Sequence, residues 1–226
     1  MSDHPLSNPI WNGLMGPHAK LGLAAGKVRR YLPDIAMFVA VEDPRDPDMP
    51  GLLDLIGEGT AGFVTEEPVS LPFGVEVVRI ADVLQMIVAD WTPVPVVLDM
   101  VPLREVDESA MVELVDLTKP GPFARRTRLM GTFRGLFDDG RLVAMSGERM
   151  RTDTFTEISA VCTHPDYRGR GYAKQFVSQG GNEIVADGKT PFLHTFADNA
   201  VAIATYEKLG FRASRMMQFT VIKRAG

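Results

Sequence analysis

The sequence predicts an α/β protein in which a mixed, mostly antiparallel central sheet is flanked by helices. Strand-type segments of period two alternate with helix-type segments of period near four. Three consecutive strand-type segments, 132–137, 141–150 and 155–163, are joined by the tight polar connections Asp138-Asp139-Gly140 and Thr152-Asp153-Thr154, so they should pair antiparallel. Two later helix-type segments each stop at a glycine and lead into a strand. For residues 99–226 the resulting order is β-α-βββ-α-β-α-β.

Residues 1–98 are patterned more weakly. A helix is predicted over 17–30, with Leu21, Ala24, Ala25 and Val28 as its core stripe, followed by a strand over 35–41. A short helix over 51–57, strands over 62–65 and 75–80 and a short helix over 81–89 complete this part. The segment 43–50, with three prolines among alternating charges, reads as an exposed loop. Trp11 and His18 read as structural side chains. After Pro95 a strand over 96–106 leads to a helix capped by Asp107 and running to Thr118, then a loop over 119–129 and the three strands above. A helix over 171–186 should bury Ala173, Phe176, Val177, Gly180 and Ile184 and stop at Asp187-Gly188. A strand over 191–197, a helix over 199–209 ended by Gly210 and a strand over 213–223 follow.

At 226 residues the chain exceeds the usual single-domain size. Acidic excess and most of the prolines fall before residue 99, so the division expected is an N-terminal α/β lobe over 1–98 and a second domain over 99–226. A hydrophobic content of 45%, 23% charged residues and a mean hydropathy of +0.00 describe an ordinary globular chain. With a net charge of −5 and no basic tract, nucleic acid is not an expected partner. No apolar run reaches the roughly 18 residues of a membrane span and no leader pattern is visible, so no membrane partner and a cytoplasmic address are expected. One cysteine and 4 histidines are too sparse for a structural zinc site, so no metal is expected.

The chemistry concentrates between residues 161 and 211. Thr163-His164-Pro165-Asp166-Tyr167-Arg168-Gly169-Arg170-Gly171-Tyr172-Ala173 joins a strand to a helix start. Glycines at 169 and 171 let a phosphate approach the backbone, and the N–H groups and dipole of the helix N-terminus favour an anion, which makes a pyrophosphate cradle. Arg168 and Arg170 either add charge to it or are solvated. A dinucleotide fingerprint from Gly169 fails at Lys174, a P-loop ending in Gly188-Lys189-Thr190 fails at Glu183, and Ser146 has Ala144 where a nucleophile elbow needs glycine.

Arg168-x-x-Gly171-x-Ala173 after a strand, followed by Asn199-x-x-Ala202-x-x-x-Tyr206-x-x-x-Gly210-Phe211, resembles the acetyl-CoA-dependent N-acetyltransferase superfamily (GNAT) over about residues 99–226. The resemblance implies that the Val161, Cys162 and Thr163 backbone hydrogen-bonds the pantetheine arm of acetyl-CoA like an added strand. It further implies that the amides of Arg168, Gly169, Arg170, Gly171, Tyr172 and Ala173 hold the pyrophosphate, with Asn199 at the arm and Tyr206 at the sulfur. Seven residues of helix put Asn199 and Tyr206 on one face about 10 Å apart, within reach of one long ligand. Asn199 is equally an N-cap and Tyr206 a half-buried core residue.

The implied reaction is direct attack of a primary amine of a small molecule or peptide on the thioester of the co-substrate, without a covalent enzyme intermediate. Tyr206 is the candidate acid for the thiolate and Glu157 the candidate base, on a strand face that alternation gives to Glu157, Ser159, Val161 and Thr163. Glu157 is alternatively an exposed strand-end carboxylate. Alternation puts Cys162 on the opposite face, as inert packing, while His164 and His194 read as a loop and a sheet histidine. Arg125, Arg126 and Arg128 either meet an acidic acceptor or are solvated. The alternatives are a non-catalytic acyl-CoA-binding or sensing module and transfer of a longer acyl group to an amino acid. Residues 1–98 are read as a silent lobe, either an extension or a diverged second copy, that closes one side of the acceptor cleft, and a homodimer is allowed.

Overall fold

The structure is a computed structural model and describes residues 4–46, 48–88 and 90–226. Pro47 of the proline-rich segment, residue 89 at the end of the expected 81–89 helix, and residues 1–3 of the N-terminal stretch lie outside the described residues. In chain order the elements are α1 (Pro9–Met15), β1 (Gly22–Ala25), β2 (Val28–Tyr31), β3 (Val39–Val41), α2 (Leu52–Ile56), β4 (Thr60–Thr65) and β5 (Val75–Ile87). Then come β6 (Val101–Pro102), α3 (Glu108–Thr118), β7 (Phe133–Asp138), β8 (Arg141–Arg151), β9 (Phe155–Thr163), α4 (Tyr172–Ala186), β10 (Thr190–Phe196), α5 (Ala200–Lys208) and β11 (Arg212–Arg224). An eight-stranded sheet runs β4-β11-β5-β10-β9-β8-β7-β6, and β1-β2-β3 form a small second sheet. Only β9 and β10 pair parallel in the large sheet, so it is mixed and mostly antiparallel, as the patterning indicates.

From α3 onward the elements fall where the sequence places them, because tight turns, helix caps and glycines bound them. The N-terminal third departs in three places. The expected 17–30 helix is the β1–β2 hairpin: Gly26 turns the chain at φ +53, a region closed to a helix, and a Cβ there would meet Pro50 O at 2.6 Å. The 7-residue helix α1 is not among the expected elements, although Asn8, whose side chain accepts from Trp11 N–H, and Pro9 at its first position are a helix start. The expected strand-then-helix over 75–89 is the single strand β5. Its second half is buried on both faces, Val83 and Ile87 in the core beneath α1 and Leu84 and Met86 in the core beneath α4, so the period-two signal disappears.

Two further corrections concern connections. The strand expected over 96–106 shrinks to β6, because the preceding chain is spent strapping α4. Asn182 Oδ1 accepts from Trp91 Nε1–H (2.9 Å) and Val94 N–H (3.1 Å), and Gln175 Oε1 accepts from Val97 N–H (2.8 Å). The proline-rich 43–50 loop is only partly exposed, since Met49 anchors it in the core with Val39, Val41 and Phe63.

Strands from both sides of residue 98 share the large sheet, with β5 hydrogen-bonded between β10 and β11. Two helical faces cover it at different places. Val177 and Ile184 of α4 pack with Ile158, Leu193 and Phe211, whereas Met111 and Leu114 of α3 pack with Met145 and Cys162. β9 and β10 pair only from Phe155 to Glu157 on the β9 side and then separate, opening the sheet toward the N-terminus of α4.

Candidate active site

A cavity of about 840 Å³ occupies that opening. Its walls are β9 from Ile158 to Thr163, the end of β10 from His194 to Phe196, the loop into α4 and one face of α5. A register shift between β8 and β9 puts an extra residue on β9, and Ala160 there has φ +52. A left-handed alanine is strained, and the bulge turns the backbone of residues 160–161 out of the sheet ladder and toward the cavity. Nothing in the sequence marks it, because no glycine stands there.

The bulge corrects the expected alternation. Ile158 and Val161 both pack toward α4 while Cys162 packs toward α3, so Glu157, Ser159, Val161 and Thr163 do not form one continuous face, and parity no longer sets Cys162 opposite Glu157. The Cys162 thiol is pushed up to about 12 by burial, which keeps it protonated and unreactive.

The loop into α4 has the expected cradle geometry. Gly169 and Gly171 sit at φ +78 and +77, and a Cβ at either would meet open space, so these glycines serve backbone shape. Arg168 N–H closes a turn on Pro165 O (3.2 Å), whereas the first bond inside α4 is Gln175 N–H to Gly171 O (3.3 Å), which leaves the amides of the first helical turn directed outward. Arg168, Gly169, Gly171, Tyr172 and Ala173 line the cavity. Arg170 turns back, its guanidinium 4.6 Å from the Tyr167 ring centroid and donating to Asp166 O.

Asn199 and Tyr206 line the same cavity from α5. Asn199 is also the N-cap, its side chain accepting from Ala202 N–H at 3.1 Å. Burial pushes the Tyr206 phenol up to about 12, so it stays a hydrogen-bond donor throughout the working pH range.

Glu157 is fully buried, not a strand-end surface carboxylate. Arg149 Nε–H and NH2 donate to its two oxygens at 2.9 and 2.6 Å, Met150 N–H donates to Oε2, and His194 Nδ1–H donates to Oε1 at 2.8 Å. Burial raises its pKa, but the neighbouring Arg149 and His194 outweigh that and hold the carboxyl well below the usual range. Such a saturated carboxylate is a poor proton acceptor, which counts against Glu157 taking the proton itself. His194 Nε2 accepts from Gln85 Nε2–H (3.0 Å), whose amide also donates to Leu6 O (3.0 Å), so both imidazole nitrogens are engaged. The array ties β8, β9, β10 and β5 together at the base of the opening.

The sequence missed the inner wall. Phe38, Val64, Val83, Phe196 and Phe219 make an apolar end, with the Arg149 guanidinium 5.1 Å from the Phe38 ring centroid. These residues come from four elements and one loop far apart in the chain, so no local motif could reveal them. The charged groups on the cavity wall are Lys119, Arg149, Arg168, Lys174 and Lys208, and no Asp or Glu is among its described lining residues. Arg126 and Arg128 are paired instead with Asp34 (2.9 Å) and Glu108 (3.2 Å).

A family model for FR47-like proteins matches residues 133–220. A mycothiol acetyltransferase from Corynebacterium efficiens is 36% identical over 77 residues, a stretch covering 34% of this chain and 26% of that protein, so the match spans about a quarter of the relative's length. A GCN5-related N-acetyltransferase from Kribbella flavida superposes with a TM-score of 0.65 at 15% identity, covering 98% of this chain and 96% of that one, which shows the fold alone. A crystal structure from Novosphingobium aromaticivorans, of a protein assigned to the GNAT family of acetyltransferases, superposes with a TM-score of 0.90 at 42% identity. It covers 99% of this chain and 100% of its own. The glycine-lined cradle, the parted strands and this likeness over the whole length agree, and the chain belongs to the GNAT family of acetyltransferases.

Proposed function

We propose that the protein transfers the acetyl group of acetyl-CoA to a primary amine of a small molecule or peptide, by direct attack with both bound at once. The observation that carries this reading is the single cavity joining the α4 cradle, the bulged β9 edge and Tyr206. The residues fit the co-substrate: the cradle is open where side chains would stand, and Arg168, Lys174 and Lys208 supply charge complementary to phosphate in an otherwise acidic protein.

The pyrophosphate would lie on the amides of Gly169 to Ala173 and the pantetheine arm along residues 161–163 of β9, in the place of an added strand. Backbone N–H groups freed by the bulge at Ala160 would hydrogen-bond the thioester oxygen as negative charge develops on it. The amine attacks the carbonyl carbon, the carbon–sulfur bond breaks, and the proton lost by nitrogen balances the one gained by sulfur. Tyr206, locked in its neutral form, donates a hydrogen bond to the departing sulfur. Residues 1–98 supply Phe38, Val64 and Val83 and so close the acceptor side of the cavity.

Calorimetric titration with acetyl-CoA, combined with thiol release across an amine panel, tests the reading. Saturable binding with amine-dependent release is expected, whereas binding without release from any amine would favour a sensing module. Tyr206→Phe should lower kcat about tenfold or more with little change in acetyl-CoA affinity; unchanged kcat removes Tyr206 from the mechanism.

A further inference from the structure

The acceptor end of the cavity is described by three observations. Its wall is apolar and aromatic, built by Phe38, Phe196 and Phe219 with two valines. The described lining residues of the cavity include no carboxylate that could bind a second ammonium group. Glu157, the carboxylate beneath it among the described residues, has both oxygens taken by Arg149 and the neighbouring imidazole, and His194 has both ring nitrogens taken by Glu157 and Gln85.

An amine that arrives as an ammonium ion must lose a proton before its lone pair can attack. The one carboxylate and the one imidazole described at this cavity, Glu157 and His194, are already committed to each other, so that proton leaves to water ahead of the reaction. The acceptor's own basicity then governs the rate. A strongly basic alkylamine, with a pKa near 10.4 like lysine, is almost wholly protonated at pH 7; an α-amino group, at about 7.7–8.0, is not. Nucleophilicity rises less than proportionally with basicity, so the fastest attacking group is one whose pKa lies near the ambient pH.

We propose that the acceptor is an amine of near-neutral pKa carried on an apolar, aromatic body, such as the α-amino group of an aromatic residue whose carboxyl is not free. This inference rests on acetyl transfer to an amine and adds the class of amine. Polyamines, lysine side chains and other multiply cationic acceptors are disfavoured twice, by their protonation and by the lack of a carboxylate among the described lining residues. In the step itself the neutral nitrogen attacks, the carbon–sulfur bond breaks, and the proton shed by nitrogen ends on the sulfur.

The test uses the unaltered protein with acetyl-CoA and three acceptors: phenylalaninamide, phenethylamine, which keeps the same phenyl ring but has a more basic amine, and spermidine. Thiol release is followed from pH 6 to pH 10. At pH 7, kcat/KM for phenylalaninamide should exceed that for phenethylamine by about tenfold or more. The profile should level near each acceptor's own pKa, so that phenethylamine keeps climbing about tenfold per pH unit where phenylalaninamide is already flat. Spermidine should be the poorest of the three. A common inflection for both phenyl acceptors would reveal an enzymic base and overturn the inference, as would spermidine being preferred. Faster turnover with longer acyl-CoA thioesters than with acetyl-CoA would assign the apolar end to the acyl chain and overturn it too. Each of those outcomes leaves acyl transfer standing, whereas no thiol release with any amine removes that reading and the inference with it.

Discussion

At the scale of single residues, a buried side chain's surroundings are set by sheet pairing more than by its neighbours along the chain. Glu157 is the clearest case: its place on the strand was legible, but the Arg149 fork eight residues away and His194 on another strand were not, because they meet it only through sheet pairing. Glu157→Gln should cost about 3–5 kcal/mol of stability, read by denaturant unfolding, since it leaves the Arg149 charge buried without its partner; a loss under about 1 kcal/mol would show the pair to be solvated. His18 gives a second prediction. Its ring bridges Tyr31 OH (2.8 Å) and Met130 O (2.9 Å), and burial holds its pKa down to about 4. Because the folded pKa lies below the unfolded value of 6.5, the unfolded chain binds the extra proton, and stability falls as pH drops from about 6.5 to 4. The amount is on the order of 3 kcal/mol. His18→Gln should be less stable at pH 7, with the gap to the unaltered protein narrowing across that window; a gap independent of pH would mean the imidazole accepts its proton in place.

Among the elements, α4 carries the most legible part of the site, since its glycines and its apolar stripe lie in one short stretch of sequence. Gly171 is its left-handed N-cap, so Gly171→Val should weaken acetyl-CoA binding at least about tenfold in a calorimetric titration, through backbone strain and a Cβ set beside the cradle. Intact affinity would place the phosphates elsewhere. On the other side of the same helix a Cβ at Gly181 would lie 2.3 Å from the Trp91 ring. Gly181→Leu should therefore dislodge the 91–97 strap and cost about 1–3 kcal/mol, visible as a lower Tm and a red-shifted Trp fluorescence. That strap overlaps the strand expected over 96–106 only at residues 96 and 97, and α4 draws it away from the sheet by offering Asn182 and Gln175 as hydrogen-bond partners. The expected break within β5 has another cause, since its second half is buried on both faces and carries no alternation to read.

For the whole molecule, the family resemblance covers the half with the motifs, yet the cavity is completed by residues from both halves. Phe38, Val64 and Val83 come from before residue 98, and β5 is hydrogen-bonded on both edges by strands from after it. Removing residues 1–95 should thus leave β10 and β11 without the strand between them and give a protein that aggregates and lacks activity; a stable, fully active product would refute the silent-lobe proposal. The acidic character of the first half and the proline density were legible and did suggest a boundary, but composition cannot tell a separate unit from strands that interleave with a later one. The same interleaving governs how the nascent chain matures. β11 slots between β4 and β5, which leave the ribosome long before it, so both earlier strands wait with unpaired backbone edges until synthesis reaches Arg224. Such a long-range closure slows folding and prolongs the interval in which chaperones, or sticky neighbours, can capture the chain.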